Sequence, residues 1–133
     1  HMKIMVGYNE FDPKGQIEAA VIEHARAFNA RVYLVNSIEI GEDVPKENFD
    51  RAEKNLEKGK SFFLKQGIEC ETILLESGLT ISEDILKFAQ DNKMNEIIIG
   101  VRSRSKLGKL IFGSIAQHTI LNSSCPVLCV NQE

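Results

Sequence analysis

Short apolar runs take turns with segments of helical period along the whole chain, and this alternation most limits what the chain can fold into. Lys3 to Asn9 (KIMVGYN), Arg31 to Ser37 (RVYLVNS), Ile68 to Ser77 (IECETILLES), Asn95 to Val101 (NEIIIGV) and Cys125 to Val130 (CPVLCV) read as five strands. Ile17, Ala20, Val21, His24, Ala25 and Phe28 recur at helical spacing between the first two, and Phe49, Ala52, Leu56 and Phe63 do so after the second. Gly67 is placed to close that second helix. Thr80-x-x-Glu83 is a capping-box signature before a third helix carrying Ile81, Ile85, Phe88 and Ala89. A fourth helix is expected from Gly113 to Asn122. Strands that alternate with helices need a mostly parallel sheet covered on both faces, with right-handed crossovers. The 133 residues suit one domain, and no repeat, low-complexity tract or linker divides them. The fold class is therefore a single doubly wound α/β domain over residues 3–131, a five-stranded parallel sheet with four helices on both faces. His1 before Met2 reads as a cloning remnant.

Charge is distributed unevenly. The chain is 43% hydrophobic and 26% charged with a formal net charge of -3. No Asp or Glu occurs from Ile97 to Gln132, where Arg102, Arg104, Lys106 and Lys109 contribute +4, so the rest sums to -3 - 4 = -7. A cationic loop thus sits on an acidic body. No signal peptide or apolar run of membrane-spanning length is visible, and a cytoplasmic protein is expected. Cys70, Cys125 and Cys129 form no C-x-x-C pair. With Cys125 and Cys129 in one strand, their Cα atoms stand roughly 13 Å apart, too far for a disulfide, so buried free thiols are expected.

In doubly wound sheets ligands bind beyond the carboxyl ends of the strands, near the switch in strand order. That directs attention to Asn9 to Asp12, Asn36 to Ile38, Ser77 to Leu79 and Gly100 onward. Gly100 ends the fourth strand, where a missing side chain lets another group approach the backbone. Gly113-Ser114 opens a helix whose first N–H groups lack intrahelical partners and carry the positive end of the dipole. This is an anion site by construction, and Ser103, Ser105 and Ser114 add hydroxyl donors beside the four cations. Phosphate suits the combination. The plainer alternative is that the glycines only end a strand and start a helix, while the cations keep a surface loop solvated.

A P-loop is excluded because Leu110 follows Gly108-Lys109 and Gly100 lies too far back. A G-x-G-x-x-G dinucleotide fingerprint is absent after the first strand. The spacing Gly100-x2-Ser103-x9-Gly113-Ser114, with the following helix and CPVLCV strand, instead resembles the nucleotide-binding motif of the universal stress protein family, G-x2-G-x9-G-[ST]. The resemblance runs from KIMVGYN through CPVLCV. It implies sheet order 3-2-1-4-5 and a stress-response regulatory protein binding ATP or AMP, with or without Mg. By position, the triphosphate would meet Gly100, Ser103, Gly113 and Ser114, with Arg102 in the same loop. Adenine and ribose would lie near Asn9, the Gly7-Tyr8 backbone and Ser37. Ser103 stands where the family has its second motif glycine, and Asn9 where it has an aspartate. A homodimer through the exposed last strand, Val127, Leu128, Cys129 and Val130, is expected from its apolar edge and from the resemblance.

Other constellations are weaker. Glu10, Asp12 and Glu76 lie near strand ends, but a receiver-like phosphoacceptor site lacks its aspartate after strand three and its lysine. His24 and His118 have no companions at metal-ligand spacing, and satisfied core or boundary histidines are expected. No nucleophile elbow is present. The cationic stretch is short, lacks flanking aromatics and belongs to an acidic chain, which disfavours nucleic acid. The loop supplies neither a metal-holding carboxylate nor a residue to position water, so a regulatory binding protein with at most slow hydrolysis is expected over an ATPase. The contrasting expectation, kept open by Ser103 and Asn9, is a family member that binds no nucleotide and serves as a dimeric interaction module.

Overall fold

The computed structural model describes residues 1–38, 41, 43–76, 80–102 and 113–132. Within them the elements run β1 (Lys3–Gly7), α1 (Gln16–Phe28), β2 (Arg31–Ile38), α2 (Lys46–Lys65), β3 (Cys70–Glu76), α3 (Ile81–Asp91), β4 (Glu96–Val101), α4 (Ser114–Asn122) and β5 (Val127–Asn131). The strands form one sheet in the order β3-β2-β1-β4-β5. Every pairing is parallel, with Ile4 opposite Val32 and Glu96, Val32 opposite Cys70, and Ile97 opposite Val127. The fold class and strand order expected from the sequence are those of the structure.

Burial explains why the middle strands read as continuous apolar runs. Ile4, Met5 and Val6 of β1 have no solvent exposure, because helices cover both faces of a parallel sheet. Side chains alternate between the two layers. Ile4, Val6, Val32, Leu34 and Ile98 pack with Ile17, Val21 and Ala25 of α1 and Leu56 and Phe63 of α2. Met5, Tyr33, Val35, Ile97 and Ile99 pack with Ile85 and Ala89 of α3 and Ala116 of α4.

The punctuation follows the sequence in detail. Gly67 adopts φ +78 just beyond α2, a conformation nearly free only for glycine. Thr80 caps α3: its Oγ1 accepts from Glu83 N at 3.3 Å and donates to Glu83 Oε1 at 2.7 Å.

Several expectations need correction. β1 stops at Gly7 rather than Asn9, leaving Tyr8 and Asn9 in the connection to α1. Phe28 sits half exposed, edge-on to His24. Cys125 precedes β5 while Cys129 lies inside it; all three thiols are free, yet only Cys70 is buried. Burial pushes the Cys70 thiol up to about 12, which keeps it protonated at neutral pH. His24 is satisfied by Glu96, with Nδ1 3.0 Å from Oε1, whereas the buried Nδ1 of His118 has no hydrogen-bond partner among the described residues.

Candidate functional site at the strand ends

The chain leaves β1 toward β2 on one side and returns to β4 on the other, so the carboxyl ends of β1 and β4 mark the switch in strand order. A cavity of about 400 Å³ opens there, within the size range of small-molecule sites. Gly7 of β1, Gly100 of β4, and Val35 and Asn36 of β2 line it. Ile81 and Ile85 of α3 and Ile115 and Ala116 of α4 also line it. Asn9, Arg102 and Gly113 bring the polar groups. The composition is that of a ligand site, a mostly apolar lining with a few polar groups.

Two helices begin at this cavity and are finished differently. The first turn of α3 is capped by Thr80. Gly113 is the N-cap of α4 with φ -61 and ψ 157, and it has no side chain to cap the helix. The first intrahelical bond runs from Gln117 N to Gly113 O at 3.0 Å, so the amides of Ser114, Ile115 and Ala116 precede the hydrogen-bonded ladder, as in any α-helix. No described atom lies within 4 Å of a Cβ built at Gly113. An anion at this end would meet N–H groups and the positive end of a dipole, and Arg102 lines the same cavity.

The segment that presents Asn9 is fastened from two directions. The Tyr8 hydroxyl donates a hydrogen bond to Glu18 Oε2, which also accepts from Asp12 N at 3.2 Å. Glu18 is 2% exposed and Tyr8 is 1% exposed, so this clamp lies inside the protein. Burial and the adjacent Glu18 carboxylate push the Tyr8 phenol far up, leaving the hydroxyl a permanent donor. From α2, Asn55 Oδ1 accepts from Phe11 N at 3.1 Å, and Phe62 packs edge-on to Phe11 with ring centroids 5.7 Å apart.

Of the site residues named from the sequence, Gly7, Asn9, Gly100, Arg102 and Gly113 line the cavity together. Tyr8 does not: its N–H donates to Val35 O at 2.9 Å and its ring is in the core. Ser37 is buried and donates to Asp84 Oδ2 at 2.8 Å, away from the lining. Ser114 is exposed at the start of α4 and outside the lining. Ser103, Arg104, Ser105, Lys106 and Lys109, together with Ser77 to Leu79, lie outside the described residues. Asn36, in a strand end singled out from the sequence, is also in the lining, whereas sequence reasoning missed Val35 and the isoleucine pair of α3. The capping box did mark the start of α3, a signal from which Ile81 could have been placed near the strand ends.

Fold and site together define a class: a doubly wound domain whose switch-point cavity is bounded by a glycine-capped helix start. The chain belongs to the universal stress protein family, whose family model matches residues 1–131. It is 27% identical to a universal stress protein of Methanocaldococcus jannaschii over 143 aligned residues, covering 99% of this chain and 83% of that one. A universal stress protein of Archaeoglobus fulgidus superposes with a TM-score of 0.89 at 35% identity, covering 98% of both chains. A universal stress protein structure from the same organism, solved in complex with dAMP, superposes with a TM-score of 0.82 at 30% identity, also covering 98% of each.

Proposed function

We propose that this universal stress protein binds an adenine nucleotide, AMP or ATP, at the switch-point cavity and acts as a regulatory binding protein in the stress response. The observation that carries the reading is the start of α4, where Gly113 leaves the helix without a side-chain cap beside an open cavity and Arg102. The A. fulgidus relative solved with dAMP supports it by family likeness. The phosphates meet the α4 amides, and the apolar slot between Ile81, Ile85 and Ile115 receives the base. The described lining of this cavity has no carboxylate. Mg would therefore be held through phosphate and water rather than by protein carboxylates, and rapid hydrolysis has no residue among them to drive it. The assigned role is binding with at most slow turnover, in the cytoplasm; no helix among the described residues is long and apolar enough to cross a membrane.

Calorimetric titration of the purified protein with AMP and with ATP tests the reading. Saturable heat at one site per chain is expected, and no heat with either nucleotide would leave the interaction-module alternative in its place.

The acting unit in this reading is a homodimer through β5. This strand is an edge of the sheet, and Val127, Leu128, Cys129 and Val130 are only partly buried. Ile97 N donates to Pro126 O and Gln132 N donates to Val101 O, both at 3.0 Å. Amide directions alternate along a strand, so the N–H groups of Leu128 and Val130 turn toward β4, while those of Val127 and Cys129 turn toward the open edge. Pairing with a second β5 uses the outward set. Cys129→Pro removes an outward donor and spares the β4 ladder. Sedimentation velocity should show a monomer for this variant and a dimer for the wild type; a Cys129→Pro dimer would rule out this edge.

A further inference from the structure

The missing side chain at Gly100 reads as room for a ligand, but in the folded chain a neighbouring residue already uses that room. A Cβ built at Gly100 would lie 2.3 Å from Oε1, 2.5 Å from Cδ and 3.1 Å from Nε2 of Gln132. These are its three nearest atoms, so the Gln132 amide rests against the Gly100 Cα. The sheet register brings this about. Gly100 pairs with Val130 and Val101 with Asn131, and the Gln132 N–H donates to Val101 O at 3.0 Å, carrying the ladder one residue past β5. Alternation then puts Gln132 on the same face as Leu128 and Val130, the face toward α1.

A second cavity of about 250 Å³ lies on that face. Gly7, Asn9, Gly100 and Arg102 border both cavities, whereas Glu10 and Gln132 border only this one. The two spaces therefore meet over the ends of β1 and β4. A Gln amide offers an acceptor and two donor hydrogens, which match hydroxyls and base edges, and the Glu10 carboxylate beside it repels phosphate. The α1 side is suited to an uncharged polar group, and the α4 side to phosphate.

We propose that Gln132 is a further binding residue of the nucleotide site, contacting the nucleoside part of the ligand from the α1 side. Gly100 is bare in order to seat the Gln132 amide. The inference rests on the nucleotide reading above and adds to it a named contact and a different role for Gly100.

The added methyl of Gly100→Ala meets the far end of a flexible, exposed side chain, so the fold is kept while the amide is pushed aside. Gln132→Ala, Gly100→Ala and the double variant are titrated with AMP and with ATP beside the wild type, with circular dichroism melts confirming that each is folded. One lost neutral hydrogen-bonding group predicts binding about fivefold weaker for each single variant, by the same factor for both nucleotides. The double variant should be no weaker than either single one, because both changes remove the same contact. Wild-type affinity in Gln132→Ala overturns the proposal. So does a double-variant loss equal to the product of the two single losses, which would mean that the ligand itself needs the bare Gly100. A loss confined to ATP also overturns it, since the contact would then be to phosphate. Absence of heat in the wild type is a failure of the nucleotide reading itself, visible before any variant is compared, and the proposal falls with it.

Discussion

Gly113→Val should abolish measurable AMP binding while leaving the protein folded. The backbone at Gly113, φ -61 and ψ 157, is extended conformation open to any residue. A Cβ there meets no described atom within 4 Å. Valine is a poorer N-cap than glycine, a cost of about 1 kcal/mol or less. The reduced freedom of the unfolded chain offsets roughly 0.4 to 1 kcal/mol of that, so the melting temperature should move by only a few degrees. Binding responds differently, because the branched side chain fills the space through which an anion reaches the α4 amides. Losing two charge-assisted hydrogen bonds at about 1.5 to 3 kcal/mol each weakens binding by at least about a hundredfold. Arg102→Ala is the contrasting variant. Its guanidinium is exposed and acts through a screened field, so a several-fold loss that shrinks with added salt is expected. A folded Gly113→Val protein that binds AMP as the wild type does would place the phosphate contacts elsewhere.

The features that local chemistry controls were legible in the sequence, and those that depend on register were not. Helical spacing, the Thr80 and Glu83 cap, the glycine closing α2 and the glycine opening α4 are decided within a few residues, and the structure has each of them in place. Sheet order came with the family resemblance, and the pairings agree with it. Five of the named site residues meet in one cavity because strand ends gather at a switch point whatever the side chains are. Ser37 shows the limit of this reasoning. Its position at the end of β2 is legible, but its hydroxyl is committed to Asp84, a residue 47 positions away on α3. Gln132 shows the same limit from the other side: only the parallel register of β4 and β5 carries it to Gly100. Glu18 was hidden because a carboxylate beside an apolar stripe reads as a solvated residue, whereas the Tyr8 hydroxyl and Asp12 amide, brought together by the turn after β1, make its burial sustainable.

Gly59 left a sequence signal that went unread, and it carries the other large expected effect. A glycine inside a helix costs about 1 kcal/mol relative to alanine, so its presence in the middle of α2 asks for a packing reason. The reason is the Tyr8 ring: a Cβ at Gly59 would stand 2.6 Å from Tyr8 Cε2, 2.9 Å from Leu34 Cδ1 and 3.0 Å from Tyr8 Cζ. The ring has nowhere to retreat, since its hydroxyl is held by Glu18 and the fully buried Phe63 packs against its edge at 6.5 Å between centroids. In Gly59→Ala the gain in helix propensity offsets part of the overpacking, and a net loss of about 1 kcal/mol is expected. Gly59→Val adds two methyl groups to the same collision and should cost about 3 kcal/mol, lowering the melting temperature by roughly 10 °C. Tyr8 directly precedes Asn9, so the displaced ring also shifts the segment that borders both cavities. Nucleotide affinity should therefore fall in Gly59→Val even at temperatures where circular dichroism shows the protein fully folded. Equal melting temperatures for Gly59→Val and wild type would show that α2 can move away from the sheet, and that Tyr8 is not held in place as the packing of these residues requires.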